Sequence, residues 1–195
     1  LIEYADQELL VFRLLEDDPG LLSKLGFRHI MVDEFQDTNG VQFLLLEKLT
    51  ASPSVESFMV VGDDSQAIFG FRGSTPEFII DFYRNLKKDG TDFYLLDNQR
   101  STPEIVGFAN AVNRLNKHRV EKDLVAVRPS GVPVEAFQFW GKEEELQFII
   151  GQILQYYHTG ESLEQVAFLA ATNAELDAMA EALEAAGIPY AKRNP

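Results

Sequence analysis

The chain has 195 residues, 46% of them apolar, and no cysteine; that is core material for one domain or two small ones, with no disulfide framework and no thiolate metal site. Its formal net charge of −14 opposes the basic balance usual in a generic nucleic-acid binder. No apolar run nears the roughly 20 residues that span a bilayer, and the opening LIEYADQELLVF carries acids where a leader would be basic, so a soluble, cytoplasmic protein is expected.

The first 25 residues read as helix, with Leu9, Leu10, Phe12 and Leu14 close together and Pro19-Gly20 breaking the pattern. RHIMV (28–32) reads as a short buried strand and GVQFLLLEKL (40–49) as a helix of good helix formers. SFMVV (57–61) is a second expected strand, ending on Gly62-Asp63-Asp64. The stretch 74–88 opens a helix with Thr75 as N-cap, Pro76 in the first turn and Glu77 at the positive end. DFYLL (92–96) is a third expected strand, and Ser-Thr-Pro-Glu at 101–104 starts a helix to 115 with the same cap chemistry.

The stretch 113–128 has five Lys/Arg against two acids. It reads as a solvated helix end and loop, with a local nucleic-acid contact as the sharper alternative. Beyond it, 132–140 reads as a strand, 142–157 as an amphipathic helix, 165–171 as a buried strand and 173–187 as a helix ending on Gly187. Strands alternating with helices predict an α/β fold with a mostly parallel sheet.

In open α/β sheets, ligands lie beyond the C-terminal ends of the strands. Three polar clusters fall there: Asp33-Glu34, Gly62 through Gln66, and Asn98-Gln99-Arg100. Burying a charge is costly unless it is paired or binds a cation, so packing gives no reason to end a strand on two carboxylates. Asp33, with Glu34 beside it, can hold a hard cation such as Mg²⁺ directly or through water. Glu34 can take a proton from water. The Gln66 amide can sense a phosphate or orient that water, and Arg100 can stabilise charge on a transferring phosphoryl group. A strand end in water explains Asp33-Glu34 alone, but it does not explain the joint set, whose parts add up to nucleotide hydrolysis.

VDEFQDTN, VVGDDSQAIFGFRGS and LDNQRST resemble motifs II, III and IV of the UvrD/Rep/PcrA family of superfamily 1 DNA helicases, in order and in spacing. The resemblance implies RecA-like lobes of the P-loop NTPase type, ATP with Mg²⁺ between them, and 3′→5′ movement on single-stranded DNA with separation of duplex DNA. Residues 1–99 would be the C-terminal part of the first lobe and 100–195 the start of the second. Asp33 would serve Mg²⁺, Glu34 would be the general base, and Gln66 and Arg100 would contact the γ-phosphate of ATP. Gln36 and Asp37 would link the nucleotide and DNA sites. Phe69 and Phe71 would touch single-stranded DNA, since aromatic faces stack on bases without sequence preference, and Arg72 would contact a phosphate or stack. The competing fate for both Phe side chains is the core.

Two departures stand out. Gln99 occupies the position where the family usually has a Tyr that packs on adenine, and no G-x-x-x-x-G-K-[ST] loop occurs anywhere in the chain. The expectation is therefore the middle of a helicase, inactive as this chain alone. The alternative is a degenerate relative that serves as an interaction module without ATPase activity.

Overall fold

The computed structural model describes residues 4–82 and 90–192, apart from the side chains of Tyr4, Ala5 and Arg72. The chain forms two compact units, residues 1–134 and 135–195.

In the first unit, helix α1 (Tyr4–Asp17) and the short α2 (Gly20–Leu25) are separated at the Pro19-Gly20 break. Gly26 caps α2 in the left-handed region (φ 66°), a conformation that costs a glycine no Cβ clash. Strand β1 (His29–Val32) leads to helix α3 (Gly40–Thr50), and β2 (Ser57–Val60) pairs with β1 in parallel, Ile30 opposite Phe58 and Val32 opposite Val60. Helix α3 starts on a capping box in which Asn39 and Gln42 satisfy each other's backbone N–H. The Glu8 carboxylate of α1 reaches the Asn39 and Gln42 side-chain amides at 3.3 and 2.7 Å, docking α1 on the start of α3.

Aromatic contacts join the layers. Phe35 is 1% exposed and meets Phe82 edge to face at 5.6 Å, while Phe43 stacks on Phe78 at 4.3 Å. Leu15 and Leu22 are buried, whereas Leu10 and Leu14 of the expected α1 cluster are exposed. The helix expected at 74–88 appears as α4 (Glu77–Ile80), with the Thr75 hydroxyl donating to the Glu77 carboxylate; residues 83–89 of that expectation lie outside the described residues.

The expected strand 92–96 is not formed. The ladder sits one step later, in β3 (Asp97–Asn98), which pairs in parallel with β4 (Val125–Ala126) inside the stretch read as loop. A strand is made by its partner: Leu96 C=O accepts from Val125 N–H at 2.8 Å, while Phe93 and Leu95 are 87% and 89% exposed. Between them lies α5 (Pro103–Asn113), with Thr102 at its N-cap and Pro103 in its first turn.

The second unit is a pair of helices, α6 (Lys142–His158) and α7 (Asn173–Ala185). Met179, Leu183 and Ile188 form its core, with Ile149, Ile150, Ile153 and Phe168 against it. Thr172 and Glu175 close a capping box at the start of α7. The strands expected at 132–140 and 165–171 form no ladder, Gln165 instead closing a 3₁₀ turn, and Trp140 and Leu169 are exposed. Apolar composition alone does not make a strand where no neighbour supplies the hydrogen bonds. Among the described residues, every strand pair is parallel, in two sheets of two strands.

Candidate nucleotide site

The end of β1 explains its two carboxylates. Glu34 adopts a left-handed conformation (φ 50°, ψ 41°), the only non-glycine residue to do so among those described. The turn sends Phe35 into the core and leaves Asp33 and Glu34 exposed. Its geometry is held from three sides. Asp33 Oδ1 accepts from the Glu34 N–H at 2.9 Å, Phe35 N–H bonds Val61 C=O at 2.9 Å, and the Gln36 amide donates to Glu34 Oε2 at 2.7 Å.

Gln36 is 2% exposed, and its Oε1 accepts from the Asp63 N–H at 3.0 Å. One buried carboxamide thus ties the Glu34 carboxylate to the loop after β2. Gly62 makes this approach possible: a Cβ there would lie 2.6 Å from Gln36 Oε1 and 2.8 Å from Ile79 Cδ1. Asp37 Oδ1 is buried with no hydrogen-bond partner among the described residues.

The loop after β2 folds into a short 3₁₀ turn, Asp64–Gln66, capped by Asp63, whose Oδ1 accepts from Ser65 N–H at 3.0 Å. The Gln66 amide donates to Asp63 Oδ2 at 2.9 Å. A second 3₁₀ turn, Gly70–Arg72, ends on Gly73 at φ 81°, and Ser74 bridges back to Asn39. Phe69 and Phe71 meet edge to face at 5.9 Å; Phe69 is half-buried, while Phe71 is 79% exposed and so is not core. The Arg72 side chain lies outside the described residues.

Arg100 stands on the turn between β3 and α5 and is exposed. Asn98 Oδ1 accepts from the N–H groups of Arg100 and Ser101 at 3.0 and 2.7 Å, and Arg128 Nη1 donates to the Arg100 carbonyl at 2.9 Å. The structure therefore brings Asp33, Glu34 and the Gln66 loop together through Gln36. Among the described residues, no hydrogen bond joins Arg100 directly to them.

Most of the basic stretch 113–128 is exposed, as the solvated reading expects, but Lys122 is turned inward. Lys122 lies 2.7 Å from Asp63 Oδ1 and also pairs with Asp64, while Arg114 pairs with Asp123. Burial works against the charge of Lys122, but its two carboxylates outweigh this and raise its pKa above the ordinary value. Burial likewise opposes the charge of Asp63; Lys122, Gln66 and the Ser65 N–H outweigh it and hold that carboxyl below the usual range. The sequence signal for the pair is the Asp63-Asp64 doublet at a strand end, which needs a cation beside it once part-buried.

Among the described residues, no cluster of three or more His, Asp and Glu side chains forms a metal cage. Mg²⁺ beside a nucleotide is bound by one or two carboxylates plus phosphates and water, and an exposed strand-end Asp33 next to Glu34 fits that donor set.

Residues 1–87 match the family model of the UvrD/REP helicase N-terminal domain, and residues 93–194 match that of the UvrD-like helicase C-terminal domain. The chain belongs to the UvrD-like helicase family. It is 38% identical to YjcD of Bacillus subtilis over 191 residues, covering 96% of this chain and 25% of that protein. It is 33% identical over 192 residues to DNA helicase II of Haemophilus influenzae, and 31% identical over 191 residues to the ATP-dependent DNA helicase PcrA of Staphylococcus aureus; each match covers 97% of this chain and 26% of the relative. The chain thus spans about a quarter of the length of these UvrD-like relatives. No helix among its described residues is long and apolar enough to cross a membrane.

Proposed function

We propose that this chain carries the hydrolytic and strand-contacting centre of a cytoplasmic ATP-dependent DNA helicase that moves 3′→5′ on single-stranded DNA and opens duplex DNA. Residues 1–99 belong to the first RecA-like lobe in this reading and 100–195 to the second. The observation that carries it is the Gln36 bridge, which fixes the Glu34 carboxylate against the loop bearing Gln66. The names of the relatives as DNA helicases support the same reading.

Mg²⁺, when bound, offsets phosphate charge. Asp33 holds it, and Glu34 accepts the proton of the attacking water. Gln66 senses the γ-phosphate and Arg100 stabilises the charge that spreads over its oxygens. Phe71, exposed and a few residues beyond Gln66, offers a stacking face to a base, with Phe69 edge-on behind it and Arg72 next in line for a phosphate. The test is Glu34→Gln in the full-length protein, which removes the base and keeps the shape. DNA-stimulated ATP turnover should fall by about 10²- to 10⁴-fold while ATP binding persists. Near wild-type turnover would remove Glu34 from the base role.

A further inference from the structure

Asp64 is a carboxylate whose side chain is 2% exposed, and its charge is met from a distant stretch of chain. Lys122 Nζ pairs with it and with Asp63 Oδ1 at 2.7 Å, and the Val120 N–H donates to Asp64 Oδ2 at 2.9 Å. The Lys122 side chain is itself only 16% exposed. A partly buried cation between two carboxylates is costly to break from either side, because removing one partner leaves the other charge buried and unmatched.

The segment that brings Lys122 there is pinned elsewhere. Asn110 of α5 exchanges hydrogen bonds with the Leu124 backbone at 2.9 and 3.1 Å. Arg119 donates to the Lys122 carbonyl at 3.2 Å, and the His118 ring nitrogens lie 3.7 and 3.8 Å from Glu77 and Asp81. Leu124 leads directly into β4, which pairs with β3, and β3 ends at the turn whose Asn98 holds the Arg100 backbone. Lys122 therefore projects from the same block of β3, α5 and β4 that presents Arg100. Its target, Asp63, is the acceptor that fixes the Gln66 carboxamide. The two ends of the link lie in the segments matched by the two different family models.

We propose that Lys122 is a positioning residue: through Asp63 and Asp64 it sets the Gln66 carboxamide relative to the block that carries Arg100. The proposal rests on the reading of Gln66 and Arg100 as γ-phosphate contacts. Lys122 acts through Asp63, the acceptor of the Gln66 carboxamide.

The experiment uses the full-length protein, with hydrogen exchange at the Ser65–Ala67 amides read beside ATP binding and DNA-stimulated hydrolysis. Lys122→Met should speed exchange at those amides and lower kcat by about 10- to 100-fold, the scale of a small misplacement of a reacting group. ATP affinity should change by less than about 3-fold, since the loss falls on the transition state. Lys122→Arg, which keeps the charge, should recover most of kcat. In a Gln66→Ala background, Lys122→Met should change kcat by less than about 2-fold, because residues acting as one unit are not additive. Unchanged exchange in Lys122→Met, or an equal fall of kcat in both backgrounds, would overturn the proposal. Faster exchange with full turnover in Gln66→Ala itself would instead sink the reading of Gln66, which separates the two failures. Should Lys122→Met melt below the assay temperature, Lys122→Gln, which shortens the stem and removes the charge but keeps a hydrogen-bonding head, decides by the same outcomes.

Discussion

Gly62→Ala adds one methyl group where the structure has no room. The new Cβ would lie 2.6 Å from Gln36 Oε1, 2.8 Å from Ile79 Cδ1 and 3.2 Å from Phe35 N. Ile79 can rotate away. Gln36 cannot do so cheaply, because it is 2% exposed and holds both the Glu34 carboxylate and the Asp63 N–H. Overpacking of this kind costs about 1–3 kcal/mol, and losing the Asp63 hydrogen bond adds about 1 kcal/mol. The sum is about 2–4 kcal/mol, or a fall of about 1–2 M in urea midpoint at a slope near 2 kcal/mol/M. Gly107→Ala is the control. Gly107 sits inside α5 with nothing within 4 Å of its Cβ position, so the substitution should stabilise by about 0.5–1 kcal/mol. A midpoint for Gly62→Ala within about 0.2 M of wild type, roughly 0.4 kcal/mol on that slope, would refute the packed bridge. It would show that the Gln36 carboxamide yields without loss.

Three further outcomes are expected. The purified 195-residue chain should turn over no ATP with or without DNA, since the loop and Lys that cradle the phosphates are absent from its sequence; DNA-stimulated release of phosphate by the chain would contradict this. In the full-length protein, Phe71→Ala should weaken single-strand binding by about 1–3 kcal/mol regardless of base, yet leave the melting transition nearly unmoved because Phe71 is 79% exposed; a large fall in melting temperature at unchanged affinity would return Phe71 to a packing role. Glu104 is held down to about 2, first by the Ser130 hydroxyl and then by the Gly131 N–H. A depressed carboxyl stabilises the fold above its ordinary value of 4.5 and stops doing so as pH falls toward 2, so the stability gap between wild type and Glu104→Gln should be open at pH 7 and close across that window. A gap that is flat with pH would mean the carboxylate form contributes nothing.

The helices were readable because their signals are local. Pro19-Gly20 divides α1 from α2, and Thr102-Pro103 opens α5. The strands were readable only where a partner exists. HIMV and SFMV pair with each other, but the equally apolar runs at 92–96 and 165–171 form no ladder, and the second pairing falls on Asp97-Asn98 and on Val125-Ala126 inside the stretch read as loop. Pairing is a property of two distant segments, so one segment's composition does not reveal it. The same holds at the site. Asp33, Glu34, Gln66 and Arg100 announce themselves by residue type at strand ends. Lys122 does not, because its meaning lies in the Asp63-Asp64 doublet some sixty positions earlier.

The strand that ends on Asp33-Glu34 shows how the two scales meet. A non-glycine residue in the left-handed region costs about 1–2 kcal/mol, and Glu34 adopts it although a glycine would do so freely. In the proposed reading, the carboxylate at this strained position gives up stability for its role as the base. The strain persists because neighbours on both sides oppose its release: Phe35 is anchored in the core and to Val61, and Gln36 grips the Glu34 carboxylate from a buried position. The same Gln36 reaches Asp63, Asp63 fixes Gln66, and Lys122 fixes Asp63. A residue placed by strain at one strand end is thus held in register with a loop at the next, by side chains that each bond in two directions. Loosening any one of them leaves every side chain present and the register lost, so activity should fail in such variants before binding does.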